Sequence, residues 1–145
     1  MGAAAKAGFV SRPYLTGLLG GLLALAPHAV LPDAASIAYA AILMGLIAGI
    51  YIGFALQKGT ESQVLVEVSA AGLFALAALV GGIALPIVIP IAYFAHGLWD
   101  AAHHARKRGD EFLVQTPRWY PPFCAVVDWV VALGLFVLWW RAGLL

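Results

Sequence analysis

The sequence predicts an all-α integral membrane protein, a single domain over residues 1–145 built as a bundle of five transmembrane helices. Three observations carry the prediction. Of the 145 residues, 63% are hydrophobic and 10% charged, whereas a soluble domain carries roughly 25% charged residues. Apolar stretches occur at about 14–31, 35–56, 63–82, 86–105 and 121–142, each close to the ~20 residues that cross a bilayer. Finally, with five spans and a cytoplasmic N-terminus, Lys6, Arg12, Lys58, Arg106, Lys107, Arg108 and Arg118 all lie inside and only Arg141 outside, as the excess of cations in cytoplasmic loops requires. The expected location is the inner (plasma) membrane, multi-pass.

The first stretch, "YLTGLLGGLLALA" behind Lys6 and Arg12, has the outline of a signal peptide but is read here as the first span. Gly17 and Gly21 mark a close-packing face. Pro27, His28, Pro32 and Asp33 form the outer loop, with Asp33 expected to cap the second span. On that span Gly45, Gly49 and Gly53 repeat every four residues, a strip expected to pack inside the bundle.

The third and fourth spans need separating, because 64–104 contains no polar loop, only "GGIALPIVIP". The alternative is four spans, with 64–104 as one long kinked helix. Such a helix would run roughly 60 Å, about twice the hydrocarbon thickness. It would also carry Arg106–Arg108 and Arg118 to the outer side and abolish the charge asymmetry. Gly81, Gly82 and Pro86 supply the break, and Pro90 is expected to kink the fourth helix near its start. Pro122 opens the fifth. Trp119, Tyr120, Trp139, Trp140 and Tyr14 fall at span ends, as interfacial anchors do; Tyr39, Tyr51 and Tyr93 are assigned to packing.

A chain this apolar and short leaves no room for a separate soluble domain. Its charge of +1, with no basic patch interleaved with aromatics, excludes nucleic acid as a partner. The expected partners are membrane lipids, other membrane subunits or a second copy. Cys124 is the one cysteine, so there is no disulfide framework.

Chemistry concentrates in "AHGLWDAAHHARKRG", residues 95–109. At about 100° per residue, Asp100 stands at about 40° from His96, His103 at about −20° and His104 at about 80°. All four share one helix face, and Trp99 is expected to look elsewhere. Counting rises from the cytoplasmic end places Asp100 at ~6 Å depth, His96 at ~12 Å, Glu67 of the third span at ~6–8 Å and Asp128 of the fifth at ~9 Å. Acids and imidazoles from three helices thus meet in one layer. Each acid costs ~2.5–3.5 kcal/mol at mid-membrane, so something neutralises them. One solution is a divalent metal, Zn, Fe or Mn, held by His96, Asp100, His103, His104 and Asp128. Glu67 and Asp128 are then the candidate catalytic carboxylates of a metal-dependent hydrolase or oxygenase acting on a lipid or other amphiphile. Open alternatives are a metal-free polar network, an accessory subunit of a larger membrane complex, and a proton or ion path. Cys124 shares the face of Asp128 but is read as a small apolar core residue.

The run H-x3-D-x2-H-H partly resembles the histidine boxes of membrane di-iron hydroxylases and desaturases. Those enzymes use about eight histidines, whereas this chain has four, and Asp100 stands where their first box closes with His. Their activity is not carried over. "HGLWDAAHH" (96–104) and "PRWYPPFCAVVDW" (117–129) are similar to signatures of a small family of uncharacterised multi-pass membrane proteins. That resemblance implies no reaction, but it groups Asp128 and Cys124 with the histidine motif.

Overall fold

The computed structural model describes residues 11–145; Lys6 and the rest of the N-terminal arm lie outside the described residues. The described chain is helical and contains no strand: α1 Pro13–Leu25, a 3-10 turn Ala26–Ala29, α2 Asp33–Ala48, α3 Ile50–Lys58, α4 Glu61–Ile83, α5 Val88–Ala105 and α6 Tyr120–Ala142. Helices α2 and α3 run end to end through Gly49 as one rod, Asp33–Lys58.

Three rods are long and apolar enough to cross a membrane: Asp33–Lys58, Glu61–Ile83 and Tyr120–Ala142. At 1.5 Å per residue their 26, 23 and 23 residues give roughly 39, 35 and 35 Å, more than the ~30 Å hydrocarbon layer. The surface agrees: Leu23, Leu46, Leu65, Leu73 and Leu133 are each about two-thirds or more exposed, which water would not tolerate over so large an area.

The long-helix alternative for 64–104 is overturned. Helix α4 ends at Ile83 and α5 begins at Val88, turning through the expected break. A Cβ on Gly81 would collide with Ile89, so glycine there lets the two helices approach closely at the turn. Pro90 does not need to kink α5: it lies in the first turn, where its missing N–H would have had no partner anyway.

Successive rods alternate in direction. α1 and α6 are therefore parallel, and Gly17 and Gly21 admit the α6 backbone and Val126 and Val130 at contact distance, as expected of close-packing glycines. Alternation gathers Arg12, Lys58, Arg106–Arg108 and Arg118 at one end and puts Arg141 at the other.

Several local expectations are corrected. Pro32 is the N-cap of α2, and Asp33 is its first helical residue with no side-chain cap bond; its carboxylate can favour the helix only through the dipole. Trp139 is no interfacial anchor. It is 2% exposed, and its indole N–H donates to Ser36 Oγ at 2.9 Å. His28 Nδ1 meets the same hydroxyl at 2.7 Å. The strip Gly45, Gly49 and Gly53 is exposed, and a Cβ at Gly45 or Gly53 would meet nothing within 4 Å. It does not pack inside this chain.

Candidate metal centre

Helix α5 supplies the centre of the site because its turn-by-turn inner line reads Ile89, Tyr93, His96, Gly97, Asp100 and His103, all buried. Its outer line reads Ile91, Phe94 and Leu98, all exposed. Polar inside and apolar outside reverses the pattern of a water-soluble helix. Gly97 brings α6 close: a Cβ there would collide with the Trp129 indole. One result is that His96 of α5 meets Asp128 of α6.

The upper tier is His96, Asp100 and Asp128. His96 Nδ1 lies 2.6 Å from Asp128 Oδ2 and 3.5 Å from Asp100 Oδ2. One ligand atom from each of the three residues falls within 4.8 Å of the others. A tetrahedral zinc with bonds of about 2.1 Å keeps its ligands roughly 3.4 Å apart, and the 2.6 and 3.5 Å separations lie on either side of that value. Asp100 Oδ1 accepts a hydrogen bond from the Tyr51 hydroxyl at 2.6 Å. Asp100 Oδ2 is buried and has no hydrogen-bond partner.

The lower tier is a pair. His103 Nε2 lies 2.7 Å from Glu67 Oε1, while His103 Nδ1 donates to the Trp99 carbonyl oxygen at 3.0 Å. Both ring nitrogens thus face acceptors, and the pair needs one proton more than a neutral imidazole beside a carboxylate. As imidazolium and glutamate it is neutral overall. Trp99 Nε1–H donates to Glu67 Oε2 at 3.3 Å, and the Val114 N–H is aimed at Glu67 Oε1 at 3.5 Å. Trp99, expected to look elsewhere, is therefore part of the site. The Tyr51 ring lies against the His103 imidazole, 4.1 Å between centroids, and joins the tiers.

Glu67, Asp100 and Asp128 converge as the depth count requires, all nearly inaccessible at 0–1%, but in two tiers rather than one layer. The expected five-ligand set divides accordingly. His96, Asp100 and Asp128 stand together, His103 is engaged with Glu67, and His104 is exposed on the wall of a cavity. Cys124 is half-buried near Tyr120.

Sequence reasoning missed Tyr51, and it missed the 106–119 connection that seals the lower tier. Gln63 Nε2 donates to the Asp110 and Leu113 carbonyl oxygens at 3.0 and 3.1 Å, and Arg106 Nε donates to Leu113 O at 2.9 Å. Asp110 Oδ1 accepts from the Phe112 and Leu113 N–H groups; the Leu113 bond first, then that of Phe112, holds the Asp110 carboxyl below its usual pKa. These ties seat Val114, fully buried, against Tyr51 and Ala55. The only local signal was the turn chemistry of Gly109 and Asp110. Beside this loop a cavity of about 360 Å³ opens at the cation-rich end.

Apolar helices of spanning length around a buried imidazole and carboxylate group define the class: an all-helical membrane protein with a group able to hold a metal ion. The chain belongs to the family of unknown function DUF6010, whose model matches residues 12–140. No curated protein and no solved structure matches it.

Proposed function

We propose that this protein is a five-span metalloprotein of the inner (plasma) membrane, N-terminus cytoplasmic, that binds a divalent ion through His96, Asp100 and Asp128 and acts on a lipid-like amphiphile. The observation that carries the reading is the unsatisfied Asp100 Oδ2 beside a second buried carboxylate and one imidazole. With His96 neutral, the two carboxylates leave two negative charges away from water, a cost of several kcal/mol per ion. One divalent cation cancels them; protons alone would require two. Three protein ligands leave such an ion an open position, the arrangement of catalytic rather than structural sites. Zn, Fe and Mn all accept this donor set.

The remaining two spans are supported by length and by the lie of side chains. Helix α1 with its 3-10 turn, and α5 with 18 residues, each extend roughly 27 Å, and the outward face of α5 is Ile91, Phe94 and Leu98. Glu67 and His103, holding one proton between them next to the cavity, are placed to act as a general acid and base pair. A trans-membrane proton path has less support, because beyond His96 the core is Met44, Ile89, Val131 and Leu135 with Tyr93, whose hydroxyl is already committed to the Ala40 carbonyl oxygen at 3.0 Å.

The test is elemental analysis of purified protein and of His96→Ala, Asp100→Asn and Asp128→Asn. The expected result is near-stoichiometric divalent metal in the parent and its loss in each variant. Metal retained in all three, or absent from a parent loaded with zinc, iron and manganese in turn, defeats the proposal. A second reading, as a subunit or homo-oligomer, is favoured by the open strip Gly45, Gly49 and Gly53, where another helix can approach closely. Crosslinking in native membranes that captures a partner through this strip would establish it.

A further inference from the structure

We infer that the cavity at the cation-rich end binds a phosphate group, carried by a lipid headgroup or free in solution. This rests on the proposed function and specifies the chemistry of the amphiphile's head. Arg106, Arg108, Arg118 and His104 line the cavity with Gln115 and Thr116, and no acid does. Its volume of about 360 Å³ sits at the low end of the roughly 300–1,000 Å³ of ligand pockets. It suits a head group rather than a whole lipid.

The three guanidiniums differ in how they are held. Arg106 spends Nε on Leu113 O and Nη2 on Asp110 O, so it is a cation fixed in place, with the Asp110 carboxylate near enough to act on its charge. Arg108 and Arg118 are exposed on the two arms of the loop and free to close on a ligand. Planar guanidinium forks match phosphate oxygens in pairs, and Arg is preferred to Lys for that reason. The nearest acid in sequence, Asp110, accepts from two backbone N–H groups and does not line the cavity. His103 lines the cavity and bonds Glu67, so a phosphate held here lies against the proton-sharing pair. Nothing about cation crowding alone would select this spot: Lys58 and Lys107 share the same end yet line no part of it.

The experiment is calorimetric titration of the detergent-solubilised full chain with dioctanoyl phosphatidic acid, with dioctanoylglycerol as the phosphate-free control and inorganic phosphate as competitor. Phosphatidic acid should bind and dioctanoylglycerol should not. Arg108→Gln and Arg118→Gln should each weaken binding about tenfold, one charge-assisted contact of about 1.4 kcal/mol, while Lys107→Gln stays within about twofold. Competition by inorganic phosphate identifies free phosphate as a ligand; binding of phosphatidic acid without such competition identifies the lipid headgroup. Equal binding of dioctanoylglycerol, or an equal loss in Lys107→Gln and the arginine variants, overturns the inference. Asp100→Asn, which strips the proposed metal, should keep phosphatidic acid binding, so failure of the metal reading is seen separately.

Discussion

Replacing Tyr51 with Phe removes one oxygen from the centre of the site and little else. The ring is 2% exposed and keeps its stacking on His103, 4.1 Å between centroids. What is lost is an O–H donor 2.6 Å from Asp100 Oδ1, a carboxylate whose other oxygen has no partner. Hydrogen bonds to charged groups contribute about 1.5–3 kcal/mol, and both partners of this one are buried. If Asp100 is a metal ligand, Tyr51 is the group that orients it, and losing such a partner lowers metal affinity about 10- to 100-fold, or about 1.4–2.7 kcal/mol. The two routes agree in size because both measure the restraint on one carboxylate. The assay is a chelator-competition titration with zinc, paired with thermal unfolding in detergent with and without metal. Tyr51→Phe should bind zinc at least tenfold more weakly and unfold earlier, and saturating zinc should restore part of the loss by mass action. In an Asp100→Asn background the same change should cost less than about 0.5 kcal/mol, since the coupling partner is gone. Unchanged affinity and stability in Tyr51→Phe would refute both the charge assigned to Asp100 and its role as a ligand.

Glu67→Gln leaves His103 facing an amide and should cost about 3–5 kcal/mol, as breaking a buried pair does; limited proteolysis should then cut within 106–119, and a loop as resistant as the parent's counts against the pair as its anchor. Gly97→Ala pushes a methyl into the Trp129 indole and should cost about 1–3 kcal/mol, whereas Gly45→Ala meets nothing within 4 Å and should stay within about 0.5 kcal/mol; equal unfolding temperatures would contradict the packing.

Periodicity and length made the helices legible. Three of the five apolar stretches overlap a single helix, while 14–31 ends in a 3-10 turn and 35–56 is divided at Gly49, and the break between α4 and α5 is marked by Gly81, Gly82 and Pro86 because each acts locally on the backbone. The same locality explains the shared face of His96, Asp100 and His103, which follows from 3.6 residues per turn. What escaped were pairings across helices. Nothing in the neighbourhood of Tyr51 distinguishes it from Tyr39 or Tyr93. Tyr51 reaches Asp100, while the Tyr93 hydroxyl donates to the Ala40 carbonyl oxygen at 3.0 Å. The angle of Trp99 from His96 carries no information on the length of the indole, which reaches around α5 to Glu67. The glycines show the limit most directly: Gly17 and Gly45 read alike as small residues, and only the position of α6 makes one a contact and leaves the other open.

The organisation of α5 accounts for why the chain tolerates so much polarity in so apolar a setting. Its three histidines and one aspartate lower its hydropathy enough that, unlike the rods before and after it, it lacks the composition of a spanning helix. Its stability in such a setting depends on what surrounds it. Glu67 from α4, Tyr51 from α3 and Asp128 from α6 each engage a polar side chain of α5, and Ile91, Phe94 and Leu98 face outward. An unpaired polar group in hydrocarbon costs several kcal/mol, so each of these partners is required once the others are present. Glu67 and His103 pair with each other, whereas Asp100 Oδ2 of the upper tier is left without a hydrogen-bond partner. The lower tier, closed over by Val114, is the one that adjoins the arginine-lined cavity through His103, while the upper tier of His96, Asp100 and Asp128 lies apart from it.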